Sequence, residues 1–409
     1  MSRHASRPIV RRLALINPTK FLGNVLLAGE LIQHLSIWCD RQQIELLLVL
    51  DAGFRELMHD SFPGVEIVYY PRQALRGSVP DWQGVRAWWQ CVRQIRRFRA
   101  DLAFTVEEDS VSHRLTHLSG ARYKVSSTPA RYHFGFDEVL QISRTQRPVG
   151  QESIWYSFAD VFLSLDLPVP AQPGYLKLNL PAPDEDLLAK LGELGLDAEQ
   201  PYVVLHAGAS KVYKQWPAEH FTELTHLLLG RGYQVVLIGA GARDQAVNQT
   251  IYNQVVVGSQ VAADSQVLVD SQVAADSQVV AASKVLADSQ SAAMDQRALT
   301  GRAGTLPACI DLCNQLTLRE LAQVLNKAAL MVGNDSGPSH LGASLGVPGV
   351  VIFGPTDIPI WRPLGRRTTV LDKQALCDLT CTRHQCSKRY LCLRSVTPQD
   401  VMNGLFPAG

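Results

Sequence analysis

The sequence predicts an α/β protein with two domains, each built on a parallel sheet. A chain of 409 residues is too long for one compact core. Short apolar runs alternate with helical patterns in both halves, which is typical of parallel strands joined by crossover helices. The proline-rich segment LDLPVPAQPG at 165–174 separates the halves. We therefore expect two domains, one at 1–170 and the other at 171–409.

The strands are assigned from apolar runs and the helices from the amphipathic stretches between them. In the first half we expect strands at 13–17, 45–51, 65–70 and 101–106, with helices at 24–35 and 82–99. In the second half we expect strands at 202–206, 233–239, 330–333 and 349–353, with helices at 217–230, 318–329 and 339–345. Ligands bind at the carboxyl ends of such strands, so two facing halves would form a binding cleft between them.

One segment breaks this alternation. From residue 259 to 294 a six-residue unit recurs, beginning SQVAAD and SQVLVD. A six-residue period does not keep one face of an α-helix apolar, and the unit lacks the glycines of a hexapeptide β-helix. We expect a low-complexity insertion on the surface, either disordered or loosely helical.

Composition excludes some classes of function. The formal net charge of +1 gives no electrostatic basis for nucleic-acid binding. No apolar run is long enough to cross a bilayer, and the arginine-rich N-terminus is not followed by the apolar stretch of a signal peptide. We expect a cytoplasmic protein. No cofactor is expected.

Four of the eight cysteines lie close together near the C-terminus, with the spacing C-x3-C-x4-C-x5-C. They are Cys377, Cys381, Cys386 and Cys392. Four thiolates are a zinc-binding set, but this spacing differs from the usual paired C-x2-C. We expect structural thiols, and zinc ligation is the alternative.

The segment GNDSGPSHLGASLGVPGVVIFGP at 333–355 carries the strongest chemical signal. A strand ends in a polar turn, and a helix follows near Pro338, so free backbone N–H groups point at the turn. Asp335 and Ser336 are suitable helix caps, and His340 on the first turn could donate to an anion. The alternative is an ordinary capped strand–helix turn with a solvated histidine.

A second turn of the same kind lies in LHAGASKVYKQWP at 205–217. Ser210 and Lys214 sit on this loop, and Lys214 would supply a point charge for a diphosphate. The alternative is a surface lysine. Trp216 is expected to anchor the core rather than stack on a base.

Together, the two turns and the following Phe-Gly-Pro-Thr-Asp resemble glycosyltransferase family 9, the lipopolysaccharide heptosyltransferases. The resemblance implies a GT-B fold, in which a Rossmann-like acceptor-binding domain at 1–170 faces a Rossmann-like nucleotide-sugar-binding domain at 171–409. It adds peripheral contact at the inner face of the inner membrane as a second option for the location. It also implies that a heptose is transferred from an ADP-sugar to a lipopolysaccharide core acceptor, with inversion and without a metal. In the family these motif positions hold the donor, which here implicates Ser210, Lys214, Asp335, Ser336, Gly337 and His340.

The sequence departs from the family where Asp is the proposed general base. Here the loop reads Gly23-Asn24, and an amide cannot accept the proton, so Asn24 could only orient the acceptor. The neighbouring carboxylates Glu107, Glu108 and Asp109 are possible substitutes, and we name Glu108 as the candidate base. A solvated acidic loop is the alternative. A relative that binds a nucleotide sugar with weakened catalysis is therefore the second functional hypothesis.

Two weaker signals remain. The loop at 239–244, GAGARD, is an incomplete dinucleotide fingerprint, which raises a nucleotide-dependent oxidoreductase as a third hypothesis. The helix at 82–99 is basic and aromatic, which is compatible with contact to a membrane surface. We expect instead a solvated helix with buried tryptophans; the residues concerned are Trp88, Trp89, Arg93, Arg96, Arg97 and Arg99.

Overall fold

The computed structural model of the protein describes residues 7–75, 81–107, 109–127, 135–143, 146–256, 308–377 and 386–407. The predicted insertion at 259–294 lies outside these ranges, as do Glu108 and Cys381.

In the described part of the first half, six parallel strands form one sheet in the order β3-β2-β1-β4-β5-β6. The strands are β1 Arg12–Ile16, β2 Glu45–Asp51, β3 Glu66–Tyr70, β4 Leu102–Phe104, β5 Tyr123–Ser127 and β6 Glu138–Leu140. The helices are α1 Leu22–Arg41, α2 Arg55–Met58, α3 Trp82–Phe98, α4 Ser110–Leu118 and α5 Ile154–Ser164.

The second half repeats this order in a second parallel sheet, β12-β11-β10-β7-β8-β9. Its strands are β7 Tyr202–His206, β8 Gln234–Leu237, β9 Cys309–Asp311, β10 Leu330–Asn334, β11 Gly349–Ile352 and β12 Thr368–Leu371. Its helices are α6 Glu185–Glu193, α7 Ala218–Leu229, α8 at 242–256, α9 Leu318–Lys327, α10 Gly337–Ser344, α11 Ile358–Trp361, α12 Leu391–Arg394 and α13 Pro398–Leu405. The strand order confirms the predicted pair of Rossmann-like halves with parallel sheets.

Helices cover both faces of the first sheet, which explains why its central strands are apolar throughout. One cluster of buried side chains runs from the first half into the second and includes Leu26, Leu176 and Leu341. The two halves therefore share part of their core. The predicted boundary at residue 170 falls in the irregular stretch between α5 and α6, and the division into domains stays a prediction.

The predicted role of Trp216 as a core anchor is confirmed. Its side chain is fully buried, and its indole N–H donates to the carbonyl oxygen of Val396 at 2.8 Å. This bond ties the C-terminal segment to the second sheet. Among the described residues, no helix is both long enough and apolar enough to cross a membrane.

Candidate active site between the two sheets

The two halves meet where the N-termini of α1 and α10 face each other. A Cβ atom built on Gly23 of α1 would lie 2.8 Å from Cδ2 of His340, and one built on Gly337 of α10 would lie 3.0 Å from Cβ of Leu22. Glycine at these two positions allows the helix ends to approach. The contact lies at the carboxyl ends of the central strands β1 and β10.

Neither helix end is capped by a side chain. The prediction that Asp335 and Ser336 act as caps is therefore wrong, because both side chains are engaged elsewhere, as described below. Each helix N-terminus carries about half a positive charge, and two of them at close range repel each other. An anion placed between them would remove this repulsion and accept hydrogen bonds from their free N–H groups.

Lys214 and Asp335 form an ion pair beside the N-terminus of α10. Lys214 Nζ lies 2.6 Å from Asp335 Oδ2, and the hydroxyl of Thr356 donates to the same oxygen at 3.0 Å. The Asp335 side chain is 5% exposed, whereas that of Lys214 is 22% exposed. The ammonium group therefore lies on the more open side of the pair, within reach of a ligand. The structure thus brings the two sequence-predicted turns together.

The buried side chain of Asn334 fixes these turns to each other. Its Nδ2 donates to the carbonyl oxygens of Ala207 and Gly208 at 3.0 and 3.1 Å, and its Oδ1 accepts from the N–H of Trp216 at 3.0 Å. Sequence reasoning missed this residue, although a fully buried asparagine at the end of a strand needs such partners.

The side chain of His206 forms a hydrogen bond with the hydroxyl of Ser336, which explains in part why that serine does not cap α10. Nδ1 of His206 lies 2.9 Å from the Ser336 hydroxyl, and its Nε2 lies 3.5 Å from Asp244 Oδ2. Burial alone would raise the pKa of Asp244, but hydrogen bonds from His206 and the Ala240 N–H hold that pKa below its usual value. The sequence signal for this residue is a histidine at the end of a buried strand.

The first glycine of the incomplete dinucleotide fingerprint, Gly239, has a packing role. A Cβ atom on Gly239 would lie 2.6 Å from Cβ of Asp244, and one on Gly208 of the neighbouring loop would lie 2.1 Å from its Oδ1. Gly239 and Gly208 make room for the Asp244 side chain. This close packing accounts for Gly239 without invoking a dinucleotide.

His340 is held as a neutral imidazole. The hydroxyl of Tyr175 accepts a hydrogen bond from the N–H of Leu364 at 3.1 Å and lies 2.8 Å from His340 Nδ1. We assign the tyrosine proton to the contact with Nδ1, which leaves the ring proton of His340 on Nε2. Burial lowers the pKa of His340 to about 4; Asp335 opposes this shift and Lys214 adds to it. His340 can thus offer an N–H group to an anion near neutral pH, but no positive charge.

The neutral state of His340 predicts a loss of stability in acid. Because the folded state holds His340 neutral, the unfolded state takes up a proton first as the pH falls below about 6.5, the ordinary pKa of histidine. The stability that is present above pH 6.5 is therefore lost progressively as the pH falls towards about 4. The shift corresponds to about 3 kcal/mol. We expect the free energy of urea unfolding to fall by about this amount more in the wild type than in H340Q between pH 7 and pH 4. Equal losses in the two proteins would contradict the assignment.

Ser210 is the one predicted donor-site residue that stands apart. It is exposed at the tip of its loop, and its carbonyl oxygen accepts a hydrogen bond from the Arg243 guanidinium at 2.6 Å. Among the described side chains at the site, none is hydrogen-bonded to the Ser210 hydroxyl. Its contribution to binding stays a prediction.

Across the cleft, Asn24 contacts a carboxylate. Asn24 Nδ2 donates to Glu107 Oε1 at 2.8 Å, and the two residues are 6% and 5% exposed. Asp109 has a structural role instead, since it caps α4 by accepting from the N–H groups of Val111 and Ser112. With Glu108 outside the described residues, Glu107 is the carboxylate that the structure places beside Asn24.

Three of the C-terminal cysteines, Cys377, Cys386 and Cys392, lie near one another. Burial raises the pKa of the Cys392 thiol to about 12, and a hydrogen bond with Cys377 adds to this shift. Cys386 is near enough to raise the same pKa further. Within the described ranges, no group of three His, Cys, Asp or Glu side chains is arranged to hold a metal ion. Because Cys381 lies outside these ranges, the choice between structural thiols and zinc stays a prediction.

Comparison with known proteins relates the chain to a family. The model of glycosyltransferase family 9 (heptosyltransferase) matches residues 88–266 and 276–391, which is well over half of the chain. Lipopolysaccharide heptosyltransferase 3 of Escherichia coli is 24% identical over 164 residues, which are 40% of this chain and 34% of that protein. The matched part of this chain thus spans about a third of the length of that curated relative.

Solved structures agree on the fold. The E. coli ADP-heptose lipopolysaccharide heptosyltransferase II superimposes with a TM-score of 0.62 at 18% identity, covering 97% of each chain. The E. coli heptosyltransferase WaaC with ADP superimposes with a TM-score of 0.60 at 17% identity, covering 96% of this chain and 98% of that one. These structures share the GT-B arrangement of facing parallel sheets, and the family match shows that the chain belongs to glycosyltransferase family 9.

Proposed function

We propose that this protein transfers a sugar from a nucleotide-diphosphate sugar to a glycan acceptor. The observation that carries the proposal is the meeting of two uncapped helix N-termini beside the Lys214 ammonium. This arrangement concentrates positive charge and free N–H groups at one point of the cleft, as a diphosphate requires. The match to family 9 supports the same chemistry.

The substrates are proposed from the relatives. Lipopolysaccharide heptosyltransferases recur among the similar proteins, and one similar structure contains ADP. We propose ADP-heptose as the donor and a lipopolysaccharide core as the acceptor. Such an enzyme would work in the cytoplasm, in contact with the inner face of the inner membrane where that acceptor is presented.

The proposed reaction is a direct displacement without a metal. The acceptor hydroxyl attacks the anomeric carbon while the nucleoside diphosphate leaves from the opposite side, which inverts the anomeric centre. Lys214 and the N-terminus of α10, which begins at Gly337, would stabilise the charge that develops on the leaving group. His340 would add an Nε2–H donor.

Asp335 has a different role, because a carboxylate repels phosphate. Its contacts with Lys214 and Thr356 would hold the ammonium at the mouth of the site. Ser336 is tied to His206 and would orient the loop rather than donate to phosphate.

The attacking hydroxyl must lose a proton, and we propose Glu107 as the acceptor of that proton. It lies in the half opposite the Lys214 loop, where an acceptor sugar would enter. Asn24 would orient the carboxylate through its amide. Glu107 thus replaces Glu108 as the candidate base.

A transfer assay with ADP-heptose and a truncated lipopolysaccharide tests the proposal. We expect release of ADP together with a heptose-extended product. The second hypothesis, a binding protein with weakened catalysis, is favoured by Asn24 at the family's base position; it predicts ADP-heptose binding without product. Failure to bind ADP or ADP-heptose would reject both.

A further inference from the structure

Helix α3 carries an exposed face that the fold does not use. Trp82 is 80% exposed and Trp89 is 61% exposed, so the expectation of buried tryptophans fails for Trp89. Residues at spacings of three and four lie on one side of a helix. The side that these tryptophans mark, called here the α3 outer face, consists of Trp82, Arg86, Trp89, Arg93, Arg96 and Arg97, with all four arginines exposed.

The opposite side of the same helix holds it to the first sheet. Cys91, Val92, Ile95 and Phe98 are buried in a cluster with residues of the sheet. The helix is therefore anchored without help from its outer face. Side chains of the α3 outer face can change without opening the core.

The α3 outer face is strongly and uniformly basic. No Asp or Glu occurs between Trp82 and Phe98, and Asp81 just before the helix is engaged as its cap. Within the described chain, no carboxylate forms an ion pair with any of these four arginines. Exposed helical arginines usually have acidic neighbours at a spacing of four, so this face is suited to a negatively charged partner.

The two tryptophans identify the kind of partner. A large aromatic side chain left in water forgoes considerable apolar burial, and an indole has both an apolar ring and a polar N–H. Tryptophan is enriched at the boundary between lipid head groups and acyl chains for this reason. Exposed arginines on the same face attract anionic lipid head groups, among which the indole rings can bury apolar area.

The position of the helix relative to the cleft fits this partner. Strands β3 and β4 are parallel, so α3 runs from the carboxyl edge of the sheet, near Trp82, back to its amino edge. Glu107 follows β4 at that same carboxyl edge. A bilayer that meets the Trp82 end of the α3 outer face would therefore lie at the same edge of the sheet as Glu107.

We propose that the α3 outer face docks the protein onto an anionic phospholipid bilayer. This proposal names the surface by which the enzyme would reach its acceptor. It rests on the proposed function, in which the acceptor is presented at a membrane. Bilayer docking itself is measurable without any turnover.

Co-sedimentation with vesicles tests the docking surface. We expect the full-length protein to bind phosphatidylcholine vesicles that contain phosphatidylglycerol, to bind pure phosphatidylcholine vesicles much less, and to be released by salt. The R86Q/R93Q variant should bind the anionic vesicles about tenfold more weakly, and W82Q/W89Q should lose a similar factor. The matched control is R366Q/R367Q, which removes the same charge at exposed positions in the second half and should bind like the wild type.

Three outcomes would overturn the inference: no binding of the wild type to anionic vesicles, undiminished binding of both α3 variants, or an equal loss in the control. Binding to double-stranded DNA in place of vesicles would assign the face to another polyanion. ADP affinity, measured on the same variants, shows that they are folded. If ADP affinity is intact while vesicle binding is absent, the docking surface fails and the proposed function stands.

Discussion

K214A is expected to bind ADP between about ten and a hundred times more weakly than the wild type. A hydrogen bond to a charged group contributes roughly 1.5–3 kcal/mol, and the ammonium is the one full positive charge that we place against the diphosphate. The substitution also leaves the carboxylate of Asp335 without its cationic partner beside the bound phosphate. Isothermal titration calorimetry with ADP measures the change directly.

The chain offers a matched control three residues earlier. Lys211 is exposed on the same loop, and K211A removes the same charge without touching Asp335. We expect K211A to bind ADP nearly as the wild type does. Equal weakening of ADP binding in both variants would show that only the net charge of the loop matters. Unchanged ADP affinity in K214A would show that Lys214 does not contact the diphosphate.

E107Q is expected to lower kcat by roughly a hundred- to ten-thousand-fold while ADP affinity stays unchanged. Glutamine keeps the size of the side chain and an oxygen that can accept the hydrogen bond of Asn24, so the fold should be retained. The loss then reflects the missing proton acceptor. Turnover with the lipopolysaccharide acceptor and calorimetry with ADP separate the two effects.

Exchanging the carboxylate and the amide between positions 107 and 24 makes this test more specific. The N24D/E107Q variant restores one carboxylate and one amide to the same buried pair, with their positions exchanged. We expect it to recover part of the activity that E107Q loses. E66Q, at an exposed carboxylate of the same half, is the control and should be fully active. An active E107Q would disprove the role of Glu107.

The two loops that carry Lys214 and Asp335 were predictable from local sequence, because each apolar run ends in a small-residue turn before a proline-started helix. The family resemblance supplied their convergence on one donor. The structure gives the physical reason: the loops follow β7 and β10, which lie side by side, and the carboxyl ends of parallel strands lie at one edge.

Contacts between the halves were not predictable in the same way. The approach of Gly23 to His340 depends on how the two sheets are oriented, which no local pattern encodes. Tyr175 comes from the irregular stretch between α5 and α6, and its hydroxyl contacts Nδ1 of His340. The buried, neutral state of that histidine therefore follows only from the assembled structure.

Local boundaries also escaped prediction where polar residues are buried. Helix α1 begins at Leu22, two residues before the expected start, because its first turn is buried against the second half. The short strands β5 and β6 have sequences YKVSS and EVL, and they were not predicted because too few of their residues are apolar. They follow β4 in the sheet, and β6 forms its edge.

A crystal structure of the protein with ADP is the most direct test of the central claim, that two loops and two helix ends converge on one diphosphate. We expect the β-phosphate to lie within hydrogen-bond distance of Lys214 Nζ and of the backbone N–H groups at the start of α10. ADP bound away from both groups, with Lys214 still paired only to Asp335, would contradict the account.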